Sequence, residues 1–467
     1  MTAVTVVVGA RSRPEWAVPA AQALLDAGYR VLWCEVPEAL PRSFGAVAEA
    51  YLTRENVALP PAGVTLCALN RTVGPLVWGS TSPAPLDKTV FRVRLAGQCW
   101  PSSLVGLPGT AGRLRSCLLS VSQGEAGVER QHASGTVRAD PRSPLRTRAA
   151  AASKVGALLV QALSSPSEDA VVTQPRLRTP GAVASVGKIG ARWALDRWRL
   201  RGHVDQWQIG FRFGEDPLSP DGFTWPEPPL DRFWADPVPL VHDGAYYVFY
   251  EELLYSDWIG RLNVARVYPD GRFEPLGVVL EMPTHLSFPQ VFHADGELWM
   301  VPETLALGEI ALYRCVDFPL RWERHCRLAE GRWVDTAVFE TDDGWAMLTS
   351  RTDGPAESGN DNLYAATAPS LQGPWTGLNR PVCVDIHGAR MGGAPARVDG
   401  KWVRPAQDCA VRYGHQLRLS TVHAVGADHL EETPLMTWSP QSGERARHSW
   451  GVAGDLVVTD RQVRRKR

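Results

Sequence analysis

The sequence predicts two domains, an α/β N-terminal unit followed by an all-β C-terminal five-bladed β-propeller, and three observations carry the prediction. At 467 residues the chain is longer than one ordinary hydrophobic core accommodates. Its character changes near residue 203, where alanine- and leucine-rich helical spacing gives way to short alternating segments. Twelve of the 18 tryptophans lie beyond that point. There, a pattern of strand, Asp-Gly-type turn and strand recurs at intervals of about fifty residues.

The first unit is assigned to residues 1–170. TVVVGA (5–10) is a short β-branched run, PEWAVPAAQALLDAGY (14–29) has helical spacing, and RVLWCEV (30–36) is a second strand. This β-α-β opening is the start of a parallel sheet with covered faces. A later helix is marked by the alanines and apolar stripe of 143–165. Residues 171–203 form a linker and a basic helix, VGKIGARWALDRWRLRG (186–202), with five basic residues and one acid. Such a helix suits an anionic membrane surface. Its commoner use is as a packed connector whose arginine stems cover apolar surface.

The propeller is assigned to 204–467. Four segments align: FWADPVPLVHDGAYYVFYEE (233–252), LSFPQVFHADGELWMVPET (286–304), WVDTAVFETDDGWAMLTSR (333–351) and MGGAPARVDGKWVRPAQD (391–408). Their turn glycines, Gly244, Gly296, Gly344 and Gly400, are 52, 48 and 56 residues apart, and a weaker copy around Gly454 follows 54 residues later. Asp-Gly between alternating runs is a strong hairpin signal, and the residues between copies supply two further strands per unit. Five such units make a ring with few open sheet edges. The isolated strand QWQIGFRF (206–213) is expected to complete the last blade. Tyr247, Phe249, Trp299 and Trp345, at alternate positions, are expected to pack between blades.

Within each copy the first strand starts, and the second ends, on one face of the ring, so these two columns surround the channel mouth. The first column holds Asp236, Phe288 and Gly392, with Asp335 in the third copy, where TDDG has one extra residue. The second holds Glu251, Glu303, Arg351 and Gln407, with Glu252 and Asp408 beside two of them. A structural repeat would repeat its residue type; these columns are acidic in some blades only. Acids gathered in one funnel raise one another's proton affinity and suit acid/base chemistry. Individually they also suit turn caps or partners of nearby arginines.

ADPVPLVHDGAYYVFYEE resembles the first blade of the five-bladed propeller glycoside hydrolases of family 43. The resemblance implies a catalytic base at Asp236 and a residue that orients and tunes the acid at Asp335. HLSFPQVF (285–292), VPET (301–304), VDTAVFE (334–340) and RPAQDCAVRYG (404–414) are similar to the propeller of glucosamine inositolphosphorylceramide transferase N-terminal regions. Related bacterial propellers stand behind a degenerate formyltransferase-like domain, which SRPEW and LLDAGYRV resemble. Two departures stand out. The hydrolases' general acid, a Glu opening the fourth blade, has no counterpart in GARMGGAPARV (388–398), which offers Arg390; Glu303 is the expected acid instead. RLAGQCWPSSLVGLPG (94–109) lacks the His of a working formyltransferase. Arg390 and Arg404 are expected to bind an anionic or polyhydroxy substrate, with Glu251, Glu252, His285, Arg351, Gln407 and Asp408 as further substrate contacts.

The remaining chemistry is mostly excluded. A net charge of −1 argues against a polyanion binder, so no nucleic acid is expected. No apolar run reaches the ~18 residues of a membrane span, no signal peptide pattern opens the chain, and a cytoplasmic setting is expected. Eight isolated cysteines without a CxxC disfavour zinc and a disulfide framework. There is no G-x-G-x-x-G, P-loop or G-x-S-x-G. No cofactor is expected, although the resemblance leaves room for a channel cation such as calcium and scattered histidines. The oligomeric state is open. The expectation is an enzyme that cleaves or transfers a glycosyl unit of a small-molecule or glycan substrate. Its alternatives are a glycan-binding propeller without turnover and a repurposed biosynthetic enzyme acting on a non-glycosidic bond.

Overall fold

The computed structural model describes residues 2–9, 16–36, 65–67, 76–79, 90–95, 98–99, 116–125, 128–139, 144–164, 202–352 and 359–466. The chain divides into two compact units, Met1–Asp196 and Arg197–Arg467. The linker and basic helix expected at 171–203 lie outside the described residues as far as 201.

In the first unit the valines of Ala3–Gly9 are buried, and this strand lies parallel to Arg30–Val36 on one side and Leu76–Gly79 on the other. Thr65–Cys67 and Val90–Leu95 extend the parallel part, and Ser116–Glu125 and Val128–Arg138 add antiparallel strands. With Gln98–Cys99 the sheet has eight strands. Two helices are described, Ala17–Asp26 and Pro144–Ser164. They approach closely, since a Cβ on Gly156 would stand 2.6 Å from that of Ala23. An α/β unit was expected; two helices beside eight strands among the described residues leave the chain mostly β. No helix among these residues is long and apolar enough to cross a membrane.

The second unit is a five-bladed β-propeller. Four blades are antiparallel four-stranded sheets in chain order. The first comprises Arg232–His242, Ala245–Leu254, Gly260–Val267 and Phe273–Leu280. Blades two, three and four open on Ser287–Ala294, Trp333–Thr341 and Ala396–Val398. In the fifth, Trp450–Ala453 and Glu444–Ala446 flank one edge of the long strand Leu456–Lys466. Its other edge pairs with His203–Phe213 from Phe213↔Leu456 to His203↔Lys466, so the segment at 206–213 closes the ring.

The hairpins follow their turn chemistry. Asp243, Asp295 and Asp399 have φ of 48, 52 and 50°, and the glycines after them lie at 72–76°, the paired left-handed residues of a type I′ turn. Aromatic side chains pack between neighbouring blades. Phe249 joins Val291, Met300 and Trp322, with Tyr247 against them, and Trp299 joins Trp345 and Met347.

Gly392 and Gly393 allow the fourth blade's inner strand to run against the fifth. The Trp450 N–H donates to the Gly392 carbonyl at 2.8 Å, and a Cβ on Gly393 (φ 137°) would stand 2.1 Å from the Trp450 carbonyl oxygen. Gly393→Ala is therefore expected to cost about 3 kcal/mol or more through forced backbone strain and separation of two blades. A urea midpoint equal to wild type would disprove this reading of the glycine pair.

Candidate functional site

Three blades bend their first strand in the same way. Register skips from 235 to 238, 287 to 290 and 334 to 337, leaving two residues opposite one on the second strand. The first residue of each bulge, Asp236, Phe288 and Asp335, has φ of 49, 47 and 49°. A bulge re-aims its side chain, and Asp tolerates the left-handed conformation better than Phe. Here it turns the two aspartates toward the ends of the second strands, where Glu251, Glu303 and Gln407 lie.

The acids meet in one buried cluster. Arg390 forks onto Asp335, with Nε to Oδ2 at 2.6 Å and Nη2 to Oδ1 at 3.0 Å, and its Nη1 reaches Asn360 Oδ1 at 3.3 Å. Gln407 Nε2 donates to Asp335 Oδ2 at 2.8 Å and to the Met391 carbonyl at 2.7 Å. The Asp335 N–H donates to Glu303 Oε2 at 3.0 Å, and Arg390 lies 4.0 Å from the same oxygen. Asp236 accepts from the Phe288 N–H at 3.3 Å and faces His448 Nε2 at 3.4 Å. His448 Nδ1 is 2.7 Å from Asp460, which also accepts from the backbone N–H of Asp236, His448 and Ser449. Trp207 stacks on the imidazole at 4.0 Å. Tyr413 meets it edge-on at 5.4 Å and lies 5.0 Å from the Arg390 guanidinium.

Glu251 is 5% exposed, and its Oε1 has no hydrogen-bond partner; His285 Nε2 approaches it only to 3.5 Å. At the edge of the cluster stand two partly exposed rings, the His285 side chain at 42% and Tyr413 at 39%.

Burial sets the electrostatics. Removal from water pushes Asp236 up to about 7, with Asp335 and Asp460 adding to the rise and His448 opposing it. Burial and the neighbouring Asp335 push Glu303 up to about 8. Glu251 is raised well above an ordinary glutamate by burial and then by the acids around it. At His448 burial lowers the proton affinity, but the Asp460 and Asp236 carboxylates outweigh it and the net shift is upward. The same contact lowers Asp460 against its own burial. Glu303 thus holds an extra proton in the folded state. The stability it contributes is full below the ordinary carboxylate range and declines as pH rises through about 8. The melting temperature is expected to fall by several degrees between pH 5 and pH 9, and to fall less in Glu303→Gln. Parallel curves for the two proteins would contradict the shift.

Of the residues singled out in the sequence, the structure gathers Asp236, Glu251, Glu303, Asp335, Arg390 and Gln407, with His285 at the edge. The others have separate partners. Glu252 accepts from Trp234 Nε1 at 3.0 Å and pairs with Arg232 at 3.2 Å and Arg261 at 3.0 Å. Asp408 pairs with His387 at 2.8 Å. Arg404, fully buried, forks onto Glu432 at 2.6 and 2.7 Å. Arg351 stands 5.4 Å from the Trp333 ring, and its N–H donates to Asn362 Oδ1 at 2.8 Å.

His448, Asp460, Tyr413 and Asn360 belong to the cluster but stand outside the two columns. Asp460 follows Thr459, the partner of Trp450, at the step where the first blade has the core residue Phe249. A column anchored on Gly454 passes over it. Asp236, His448 and Asp460 are the one group among the described residues whose ligand atoms, all within 4.8 Å of one another, could hold a metal ion. An imidazolium bridging the two carboxylates satisfies the same three side chains.

The family described as glucosamine inositolphosphorylceramide transferase 1, N-terminal, matches residues 228–463. The chain is similar to glucosamine inositolphosphorylceramide transferase 1 of Arabidopsis thaliana, 28% identical over 272 residues, covering 52% of this chain and 35% of the relative. The Oryza sativa subsp. indica protein of that name is also 28% identical over 272 residues, covering 52% and 36%. The chain therefore spans about a third of the length of these relatives. Among solved structures, the α-L-arabinanase of Cellvibrio cellulosa complexed with arabinohexaose has a TM-score of 0.34 and 17% identity, covering 47% of this chain and 82% of that one. A GH43_1 enzyme of Xanthomonas citri complexed with xylotriose has a TM-score of 0.36 and 16% identity, covering 50% and 87%.

Proposed function

The chain belongs to the family of glucosamine inositolphosphorylceramide transferase 1 N-terminal regions, and from that premise we propose that its propeller is a carbohydrate-active unit working at the channel mouth. The observation that carries the reading is the cluster of Asp236, Glu251 and Glu303, buried together with raised proton affinity and edged by the partly exposed rings of His285 and Tyr413. Acids of this kind are suited to exchange protons near neutral pH. Asp335 is occupied by Arg390 and Gln407, so it acts by holding the cluster's geometry.

In this reading Glu303, protonated at neutral pH, gives its proton to the glycosidic oxygen as the bond to the anomeric carbon breaks. Asp236 takes the proton of the incoming hydroxyl as that oxygen bonds to the same carbon. Water as the incoming group gives hydrolysis; a sugar or inositol hydroxyl gives transfer. Asp236 must be ionised and Glu303 protonated, so kcat/KM is expected to follow a bell with limbs near 7 and 8. Mass spectrometry of glucosamine-bearing glycans and inositol phosphoglycans incubated with the protein across pH tests this. Glu303→Gln should lose turnover and the alkaline limb together. An unchanged profile in that variant removes Glu303 as the acid.

A second reading is favoured by the fourth blade, where Arg390 occupies the stretch in which the hydrolase resemblance implies a general acid and is itself bound to Asp335. Glycans retained by wild type without any product would establish a recognition module. A channel cation such as calcium belongs to the same proposal; the carboxylate oxygens of Asp236 and Asp460 would hold it, in place of the His448 imidazolium. We further infer a degenerate formyltransferase-like origin for the first unit, supported by its parallel pair Ala3–Gly9 and Arg30–Val36 around the helix Ala17–Asp26.

A further inference from the structure

The first blade carries an exposed indole that the fold does not use. Trp258, in the loop after Ala245–Leu254, is 64% exposed and sits at φ 58°. That conformation is costly for a bulky residue and persists only where its surroundings impose it. Here they do: the Trp258 N–H donates to the Leu254 carbonyl at 3.0 Å, and the Ile259 N–H to Asp257 Oδ1 at 3.0 Å. The Tyr255 ring lies 5.7 Å away, and its backbone N–H donates to the Asp231 carbonyl at 2.8 Å. The indole is held out into water by an ordered loop.

The loop leads directly to the cluster. Two residues on, the Gly260 N–H donates to His285 Nδ1 at 3.0 Å. This leaves Nε2 as the protonated nitrogen of the neutral ring, facing the unpartnered Oε1 of Glu251 at 3.5 Å. A Cβ at 260 would come within 2.4 Å of the Leu286 carbonyl oxygen and 2.7 Å of Glu251 Oε1, so only glycine allows this approach.

Resting on the reading that the channel takes a sugar, the geometry points to a second saccharide subsite on the first blade's rim, with Trp258 as the platform for a pyranose ring and His285, backed by Glu251, as its polar edge. A pyranose has an apolar C–H face and a hydroxyl edge. The indole offers the first a flat, water-exposed partner. The half-exposed imidazole, tied to the Gly260 N–H two residues beyond Trp258 and backed by Glu251, offers the second a hydrogen-bond donor. The rim does not suit an anionic lipid surface, because its exposed acids Asp231, Asp257 and Glu281 outnumber Arg232 and Arg261, which are both paired with the buried Glu252.

Fluorine NMR of protein carrying 5-fluorotryptophan tests the subsite, with the Trp258 signal assigned by its loss in Trp258→Phe. The probes are glucosamine di- and trisaccharides, cellotriose and xylotriose, with phosphatidylinositol vesicles as a separate arm. At least one saccharide is expected to shift the Trp258 signal, and Trp258→Ala to weaken its binding about tenfold at unchanged melting temperature. A saccharide that is bound or consumed without moving that signal, and equally well by Trp258→Ala, overturns the subsite and leaves the channel reading standing. A shifted signal with no turnover in wild type does the reverse. Response to vesicles alone, or to nothing, overturns the subsite.

Discussion

Arg390→Met is expected to destabilise the propeller by about 3–5 kcal/mol, the range seen when one member of a buried ion pair is removed. The reason lies in what remains. Asp335 is 1% exposed and keeps only Gln407 as a side-chain donor, while Glu303, whose Oε2 lies 4.0 Å from the guanidinium, loses its nearest cation. At pH 5 Glu303 holds its proton, so Asp335 is left as one uncompensated carboxylate; near pH 8 Glu303 ionises as well, and two like charges then share a dry site. The loss should be larger at pH 8 than at pH 5, and Asp335→Asn placed on top should recover part of it. Urea denaturation of the single and double variants at both pH values is the measurement. A single variant within about 1 kcal/mol of wild type would show that the pair is held by its surroundings and contributes little.

Asp236→Asn is expected to lower turnover by about 10³-fold or more while leaving glycan binding largely in place. The amide keeps the shape and can still accept the Phe288 N–H, but it cannot take a proton from the incoming hydroxyl. It also leaves His448 facing one carboxylate in place of two, so the imidazole should deprotonate at lower pH. Comparing single-turnover rates and binding isotherms for the same substrate separates these effects. Equal loss of binding and turnover would make Asp236 a binding residue only.

The propeller was legible because three of its hairpins use one turn chemistry. Asp243-Gly244, Asp295-Gly296 and Asp399-Gly400 each need two left-handed residues, and that need writes the repeat into the chain. Counting from those turns reached Asp236, Glu251, Glu303 and Asp335 because the bulge falls at the same step in the first three blades. It passed over His448 and Asp460 because the fifth blade turns on Gly454-Asp455 and its inner edge is split between Glu444–Ala446 and Trp450–Ala453. Arg404 and Glu252 stood in or beside the right columns, yet their oppositely charged partners, Glu432 and Arg261, lie in strands whose patterning says nothing about the pairing. In the first unit the opening strands and helix were readable from periodicity. Ser116–Glu125 and Val128–Arg138 were not, since Gly, Ser and charged residues interrupt their alternation.

The ladder between His203–Phe213 and Leu456–Lys466 has a consequence for biosynthesis. Its partners are separated by 243 residues at Phe213 and Leu456 and by 263 at His203 and Lys466. Blades one to four fold back locally and can form as they emerge from the ribosome, whereas the strand at 203–213 must wait for residues 456–466. At about 5–20 residues per second the nascent protein carries that strand unpaired for roughly 10–50 s. Trp207, Ile209 and Phe211, buried in the finished ring, are then exposed on a bare β-edge. The window in which this protein most needs a chaperone is therefore set by translation speed, and slowing elongation should lengthen its exposure to aggregation in direct proportion.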